Sequence, residues 1–427
     1  MQAGHPVNHL RVVTVALVGA AALLGPVAAC RRAAAPPLVA VVAIPDRKNQ
    51  TPNLVADGDV AIVAWTAVQA DGTADAYAAV SRDGGITFGS PVRVNDVAGE
   101  VRTSEQQAPR VAMRGRTVAV VWTAKRDGVT RVRLARSMDE GRSFAASQSI
   151  SPAGAPGTRG WASLLIDEQQ RVHVLWLDTR VAATESSMPS MSASVGAGAY
   201  AAMGATRQDV YAAVLARDGR LSEHLVATNV CFCCKTAIGQ TAAGVWAAWR
   251  DVYPGNLRDI SFTSLDDRAD AQRVRVSQDG WQLDGCPEDG PAMAAAADGR
   301  IDLVWPTLVS NAPLSKGIFS ASTTDGRAFS TRVRIDSGTG SASHPGLAVT
   351  TAGTVAAVWE RVSDSTHRIE LRQRQGTEWL SPTVLTEGAT AASPAIAASG
   401  RDFIVAWERR DGPHSRIEVQ RARSGIR

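Results

Sequence analysis

The sequence has few lysines, few tyrosines, few cysteines and no block of like charges. Four of its 45 basic residues are lysine, and the formal net charge of the 427 residues is only +4. Because the charges are dispersed, the sequence gives no support for nucleic-acid binding. Beyond residue 27 no apolar stretch is long enough to span a bilayer, and no helical periodicity is visible. We therefore expect the mature chain to be a soluble protein built from strands.

The one long apolar run lies near the N-terminus, at residues 12–27, and is followed closely by Cys30. It is short and rich in glycine and alanine, which suits a secretory signal better than a membrane span. Its end, Val27-Ala28-Ala29-Cys30, resembles a bacterial lipobox. We expect residues 1–29 to be a lipoprotein signal peptide, Cys30 to carry the lipid and residues 30–36 to form a tether. The alternative is simple cleavage with release of the chain.

This N-terminus predicts an exported protein held in the cell envelope by acyl chains, with the outer membrane or periplasm favoured. Export implies an oxidising compartment, where cysteines form disulfides. The membrane is then a partner only through the lipid, and we expect the protein to be a monomer.

A short phrase of alternating apolar residues ending in tryptophan recurs seven times, with spacings between 48 and 73 residues. Period-two alternation and β-branched residues predict strands. Four antiparallel strands in about 50 residues is the format of a β-propeller blade. We predict an all-β propeller over residues 37–427, with seven four-stranded blades, or six if one repeat merges into loops. The last repeat lacks its outer strand, and we expect the strand at residues 37–45 to complete it and close the ring. The repeat tryptophans are Trp65, Trp122, Trp176, Trp249, Trp305, Trp359 and Trp407.

Two turns in consecutive repeats, at residues 81–88 and 137–144, share the pattern S-x-D-x-G-x-[ST]-[FW]. The pattern is the Asp box, and the chain resembles the sialidase-like superfamily of BNR-repeat propellers over nearly all of its mature length. We expect a structural role: Asp and Ser side chains bind backbone amides, Gly takes a positive φ, and the aromatic ring packs between strands. The residues of the two boxes are Ser81, Asp83, Gly85, Phe88, Ser137, Asp139, Gly141 and Phe144.

The resemblance implies a site at the mouth of the propeller, where the inner strands start and the second strands end. Sialidases of this fold bind the substrate carboxylate with three arginines, whose forked guanidinium groups match it. They use a tyrosine activated by glutamate as nucleophile and an aspartate as acid/base. Carried onto this sequence, the resemblance implies Tyr253 with Glu360 as the nucleophile pair and Asp178 as the acid. The candidates for substrate binding are Arg250, Arg258, and Arg361 or Arg110.

The chain departs from the family pattern because the early F/Y-R-I-P motif is absent. The alternative is that these charged residues form ordinary salt bridges at the rim. A further feature of the mouth is the long third repeat, in which the small and polar residues 181–208 predict a flexible insertion.

Three of the five cysteines, Cys231, Cys233 and Cys234, lie within four positions at the start of the fourth repeat. Cys286 and His344 occupy matching positions in the next two repeats, so we expect convergence near the axis. The favoured interpretation is disulfides, with Cys286 joined to one member of the cluster and a second bridge inside it. The alternative is a copper or zinc site that uses these thiolates and His344.

Two functions remain open from the sequence. The first is an exported propeller that binds or hydrolyses a glycan at its axial mouth, with exo-α-sialidase-type hydrolysis as its sharpest form and no cofactor. The second is a non-catalytic envelope protein with a cysteine/histidine centre for copper or zinc, or with disulfides only.

Overall fold

The computed structural model describes residues 1–2, 39–126, 128–152, 154–181, 208–266, 272–283, 285, 287–311, 314–388 and 390–425. The expected signal peptide after residue 2, the tether, Cys30 and Cys286 lie outside these residues, as does the insertion except for its end residues 181 and 208. The predictions made for them therefore stay predictions.

Strands in the first half of the chain come in groups of four, preceded by one further strand, β1 (Val39–Val42). The first group is β2 (Lys48–Asp57), β3 (Val60–Val68), β4 (Ala74–Ser81) and β5 (Val92–Arg93). The second is β6 (Arg110–Arg114), β7 (Thr117–Arg126), β8 (Val129–Ser137) and β9 (Gln148–Ser149). The third is β10 (Arg159–Ile166), β11 (Val172–Asp178), β12 (Gln208–Leu215) and β13 (Leu221–Val230). A short 3-10 helix, Glu105–Gln107, precedes the second group.

The second half repeats this plan. The fourth group is β14 (Ala237–Thr241), β15 (Gly244–Arg250), β16 (Ile260–Ser264) and β17 (Val274–Arg275). The fifth is β18 (Ala292–Ala295), β19 (Ile301–Asn311), β20 (Leu314–Thr323) and β21 (Val333–Arg334). The sixth is β22 (Ser341–Val349), β23 (Val355–Ser363), β24 (Thr366–Gln375) and β25 (Glu378–Trp379), with β26 (Thr383–Gly388) beside β24. The last is β27 (Ala391–Ser399), β28 (Asp402–Asp411) and β29 (His414–Ala422).

Each group is an antiparallel sheet in which consecutive strands are neighbours. The last group has three strands of its own, and β1 pairs antiparallel with its outer strand β29, as the sequence predicts. A single parallel register contact, Lys48 with Ser415, also joins β2 to β29, so these two groups share one hydrogen-bonded sheet. Hydrogen bonds thereby join β1 and β2 to β29, the last strand of the described chain.

The first strands of the groups form the inside of the molecule. In chain order, β2, β6, β10, β14, β18, β22 and β27 each contact the next, and β27 also contacts β2. This order of contacts arranges the sheets around an axis, which is a propeller-like, all-β architecture. In the part of the chain that is described, no helix is long and apolar enough to cross a bilayer.

The seven repeat tryptophans lie on the second strand of each group and are at most 1% exposed. Each packs in an apolar layer between neighbouring sheets, as Trp122 does between the first and second groups. Most indole N–H groups donate to a buried side-chain oxygen; Trp359, for example, donates to Glu370 Oε2 at 2.8 Å. The recurrence of tryptophan therefore reflects one packing position repeated in every sheet.

Both turns that carry the predicted Asp-box pattern have the hydrogen bonds expected from their sequence. Ser137 Oγ accepts the N–H of Gly141 at 2.8 Å, and Asp139 Oδ1 accepts the N–H of Ser143 at 3.0 Å. Gly141 has φ +81°, and an added Cβ would meet the side chain of Ile62 in the preceding sheet at 3.3 Å. The turn thus needs glycine both for its backbone conformation and for contact between sheets.

A third turn of this kind is present at residues 323–328, where the sequence lacks the full pattern. Thr323 takes the place of serine and accepts the N–H of Gly326, while Asp325 accepts the N–H groups of Arg327 and Ala328. A threonine hydroxyl makes the same bonds as serine, so the pattern is broader than S-x-D.

Candidate functional site

The mouth is shaped by bulges near the beginning of four inner strands. The strand registers of β2, β10, β22 and β27 each shift by an extra residue close to this end. The non-glycine residues with positive φ at these shifts are Thr51 (53°), Trp161 (56°), His344 (54°) and Ser393 (50°). Such conformations cost on the order of 1–3 kcal/mol each and concentrate at functional sites. Their repetition around one opening marks this end as the candidate site.

Below the bulges lies an axial cavity of about 250 Å³. All seven inner strands or the residues directly before them contribute to its wall, which includes Asn53, Arg110, Ser163, Lys235, Pro291, Pro345 and Pro394. The cavity is the point at which every sheet meets the axis.

Two cations, Arg110 and Lys235, line this cavity and are half-buried. Burial lowers the pKa of Arg110 to about 10, and no hydrogen-bond or ion-pair acceptor faces its guanidinium among the described residues. Lys235 Nζ donates to the carbonyl oxygen of Pro345 at 2.7 Å. Burial lowers the pKa of Lys235 to about 8, opposed by the charge of Asp289 and reinforced by that of Arg110. The cavity therefore holds positive charge that the surrounding side chains only partly balance.

Glu360, on β23, is the centre of a carboxylate–histidine cluster at the rim of the same cavity. Its Oε1 lies 2.7 Å from His367 Nδ1, and its Oε2 lies 3.2 Å from His344 Nδ1. The backbone N–H of Ser393, at the bulge of β27, also donates to Oε2. On its other side, His344 Nε2 is 3.6 Å from a carboxylate oxygen of Glu105. His344 directly precedes Pro345, so the cluster and the cavity share one strand.

The charges in this cluster reinforce one another. Burial alone would raise the pKa of Glu360, but the hydrogen bonds and charge of its histidine partners lower it to about 2. Burial would lower the pKa of His344, yet Glu360, Asp289 and Glu105 raise it above its ordinary value. The result is a carboxylate beside an imidazole whose pKa is raised, an arrangement that favours the imidazolium next to its own counter-charge.

Asp289 is a second buried carboxylate in this region, with 0% exposure. Its Oδ2 accepts the backbone N–H of His344 at 2.9 Å and lies 3.4 Å from Lys316 Nζ. Its Oδ1 is buried and has no hydrogen-bond partner among the described residues. Burial would raise the pKa of Asp289, but the charges of Lys316, His344 and Lys235 lower it.

The arginines expected to bind substrate are placed differently from one another. Arg110 lines the cavity. Arg250 is buried and donates to the carbonyl oxygens of Asp289, Arg258 and Pro306. Arg258 is also buried, and its Nε donates to the carbonyl oxygen of Leu283. Of these three, only Arg110 has a guanidinium facing the axis without an acceptor.

Arg361, the remaining arginine candidate, is 2% exposed and contacts two carboxylates. Its Nε lies 3.0 Å from Glu370 and its outer nitrogen 3.1 Å from Asp336. These contacts are those of a buried ion network that joins the sixth sheet to Asp336, which follows the outer strand β21 of the fifth.

The nucleophile pair and the acid expected from the family resemblance are not in contact with one another. The hydroxyl of Tyr253 is 2.7 Å from Ser261 Oγ, which donates to Asp251, whereas Glu360 contacts the histidines. Asp178 is fully buried, with Arg159 Nε 3.0 Å and Arg180 2.6 Å from its Oδ2. In this arrangement Asp178 serves as the anion of a buried ion pair. The roles carried over from sialidases stay predictions.

Sequence reasoning missed His367, Glu105, Asp289 and Lys235 as neighbours of the mouth. Lys235 is one of four lysines and directly follows the cysteine cluster, and this scarcity is the signal that was available. The other three offered none, because strand pairing and the bulges decide which side chains meet at the rim.

The three clustered cysteines are buried, and their sulfur atoms all lie within 4.8 Å of one another. Cys231 and Cys234 are free thiols with their Sγ atoms 3.7 Å apart. A disulfide bond is about 2.05 Å long, so the second bridge expected inside the cluster does not join these two sulfur atoms. Among the described residues His344 is not part of this group. The bridge expected from Cys286 lies outside the described residues.

No protein-family model matches the sequence, and no curated protein is similar to it. Solved structures with a similar fold include the GH93 α-L-arabinofuranosidase of Fusarium graminearum with arabinobiose, at 11% identity and a TM-score of 0.51, covering 91% of this chain and 98% of that one. The α-L-arabinanase of Penicillium chrysogenum with arabinobiose has 14% identity and a TM-score of 0.51, covering 88% and 93%.

A third similar structure is a PL25 ulvan lyase bound to -[GlcA(1-4)Rha3S]-, at 10% identity and a TM-score of 0.52, covering 89% of this chain and 94% of that one. At these identities the likeness concerns the fold, and it supports the propeller-like, all-β architecture.

Proposed function

We propose that this protein binds an acidic glycan at its axial mouth, through Arg110 and Lys235. The observation that carries the proposal is Arg110: a half-buried guanidinium in the axial cavity, with no acceptor among the described residues. A buried cation without a partner is costly, and a carboxylate or sulfate on a ligand supplies the missing acceptor in bidentate form. The solved structures of similar fold include proteins that bind arabinobiose and a uronate-containing saccharide.

A ligand bound at this position would have its ring next to the Glu360–His344 cluster. His344 is the group best suited to donate a proton, because its contact with Glu360 raises the pKa of its imidazole and its side chain is 18% exposed. Glycan cleavage needs such a donor near the leaving oxygen. We therefore extend the proposal to processing of the glycan, with His344 as the acid and Glu360 as the residue that positions it.

Binding is tested by calorimetric titration with a panel of sialic, glucuronic and galacturonic acids, and with glucose and arabinose as neutral sugars. We expect the acids to bind and the neutral sugars not to bind. Arg110→Gln should weaken binding about tenfold or more, because a charge-assisted hydrogen bond is worth about 1.5–3 kcal/mol. Arg142→Gln is the matched control, since this arginine is 60% exposed in an Asp box. Equal binding of neutral and acidic sugars, or no binding by any of them, would refute the proposal.

Exo-sialidase-type hydrolysis is the sharpest form of the proposal and has its own test. It assigns Tyr253 as nucleophile, and the contact of its hydroxyl with Ser261 means that the side chain has to move to reach Glu360. A fluorogenic sialoside should release its product, and Tyr253→Phe should abolish the release. Hydrolysis that survives Tyr253→Phe but disappears in His344→Gln would instead support the histidine cluster.

We also propose a seven-bladed ring and export as a lipoprotein. The ring is supported by the seven inner strands that contact one another in cyclic order and line one cavity. Lipidation is tested by mass spectrometry of the N-terminal peptide of the protein expressed from its full sequence in a bacterial host. Acylation at Cys30 that is lost in Cys30→Ala supports the proposal, and an unmodified peptide starting elsewhere refutes it.

A further inference from the structure

The structure contains a pair of buried thiols that the glycan proposal does not use. Cys231 and Cys234 are separated by two residues, and both are free, with their sulfur atoms 3.7 Å apart. The sulfur of Cys233 lies 4.0 Å from that of Cys234 but has a bonding partner of its own, so Cys233 is not part of the pair. A Cys-x-x-Cys pair at this separation needs only a small change of side-chain torsion and local backbone to form a bond.

The geometry that supports a reaction between the two thiols is their separation: the Sγ atoms lie 3.7 Å apart, in hydrogen-bonding contact, and both residues are buried. The same hydrogen bond lowers the pKa of Cys231, and burial raises that of Cys234. We take Cys231 as the attacking sulfur and Cys234 as the resolving one, an order that the single-cysteine variants test.

We propose that Cys231 and Cys234 form a redox-active dithiol that exchanges with low-molecular-weight disulfides, a second chemically active site distinct from the axial cavity. The Cys231 thiolate attacks the external disulfide RS–SR, forming a mixed disulfide and releasing one RS⁻. Cys234 then loses its proton and attacks the Cys231 sulfur, releasing the second RS⁻. The net reaction oxidises two protein thiols to one disulfide, and two electrons and two protons leave with two RSH.

The pair lies in a buried connection between two strands, which limits how fast an external disulfide can reach it. Cys231 follows the end of β13 and Cys234 precedes β14, so the pair lies in a connection rather than in a strand. Two backbone hydrogen bonds hold the ends of the connection: the N–H of Cys231 donates to the carbonyl oxygen of Arg250, and the N–H of Thr236 donates to that of Trp161. Phe232, Trp161 and Val252 pack around the sulfur atoms and shield them from solvent. Exchange is therefore slow and limited to small reagents, and the equilibrium is the appropriate measurement.

The test uses the purified protein with its native disulfides retained, equilibrated in glutathione redox buffers of graded composition. After acid quenching, free thiols are alkylated and the protein is digested with trypsin. The mass of peptide 221–235, which contains all three clustered cysteines, is then measured by mass spectrometry. We expect two alkyl groups on this peptide under reducing conditions and none under oxidising conditions, in one two-electron transition. Because this measurement is made on the wild-type protein, its result does not depend on whether a variant folds.

Single-cysteine variants identify the two roles. Cys234→Ser should retain a glutathione on Cys231 as a stable mixed disulfide, whereas Cys231→Ser should remain largely unmodified under the same buffer. Retention of both alkylatable thiols in every buffer would overturn the proposal. So would a stoichiometric copper or zinc ion in protein purified without chelator that protects both thiols, because it would assign the pair to a metal centre. The glycan-binding panel is read separately, so failure of one proposal leaves the other standing.

Discussion

Glu360→Gln is the substitution that most directly tests the electrostatics of the mouth. It keeps the size of the side chain and one acceptor oxygen but removes the charge that faces His344 and His367. The side chain is nearly buried, with 4% exposure, so solvent screens its interactions little.

The magnitude follows from the pKa of Glu360, which is lowered from 4.5 to about 2 in the folded protein. A lowered carboxyl pKa contributes stability that is fully present above the unfolded value of 4.5 and is lost as the pH falls towards 2. The shift corresponds to roughly 3 kcal/mol of unfolding free energy. Glu360→Gln should therefore be destabilised by about that amount at pH 7, and its stability should approach that of the wild type near pH 2–3.

The assay is urea unfolding followed by tryptophan fluorescence at pH 7, 5 and 3. The control is Glu168→Gln, whose carboxylate is 72% exposed and 3.3 Å from Arg114; it should change stability by less than about 1 kcal/mol. Histidine ring NMR supplies a second readout: the pKa of His344 should fall in Glu360→Gln, because the largest favourable partner of the imidazolium is removed. A stability difference of the same size at pH 7 and pH 3, or an unchanged His344 pKa, would refute the reasoning.

Three further predictions concern other parts of the molecule. Asp139→Ala removes the acceptor for Ser143 in an Asp box and should lower stability by about 1–2 kcal/mol, seen as a lower midpoint of thermal unfolding; an unchanged midpoint contradicts the structural role. Gly85→Ala should cost about 1 kcal/mol or more, measured by urea unfolding, because its φ is +86° and an added Cβ meets Ile404 at 3.0 Å; equal stability would show that the turn relaxes. Affinity for an acidic saccharide should fall as the pH rises through about 8, where Lys235 loses its charge, and Lys235→Arg should remove this step in calorimetric titrations; a step that persists in Lys235→Arg assigns it elsewhere.

The periodic features of the fold could be predicted from the sequence. Alternating apolar residues ending in tryptophan correspond to the second strands, as β7 with Trp122 shows. They recur because each second strand has to pack apolar side chains against the neighbouring sheets. The Asp boxes were predictable because their hydrogen bonds are local. The pairing of β1 with β29 was predictable because the last repeat lacked a strand.

The site was less predictable, because it depends on departures from the repeat. A bulge shifts the register by one residue and reverses the direction of every following side chain. The residue types at Thr51 and Trp161 do not indicate the bulges found there. The family resemblance placed Arg361 at the mouth as a substrate-binding residue. In the structure Arg361 contacts Glu370, on the neighbouring strand β24, and Asp336, which follows β21 of the preceding sheet, and spacing alone does not bring these residues together.

The cysteine connection and the axial cavity are joined through Asp289 and Lys235, so the two proposed sites share their framework. The N–H of Cys231 donates to the carbonyl oxygen of Arg250, and Arg250 Nε donates to the carbonyl oxygen of Asp289. The carboxylate of Asp289 in turn accepts the N–H of His344. Lys235 follows Cys234 directly. Its carbonyl oxygen packs against Gly290, next to Asp289, so closely that a Cβ added to Gly290 would lie 2.0 Å from this oxygen. A Cys231–Cys234 bond would draw Cys234 towards Cys231 and shift Lys235, the next residue along the chain. Since Lys235 and Asp289 both set the charge at the mouth, oxidation of the dithiol should change the affinity for an acidic ligand as well.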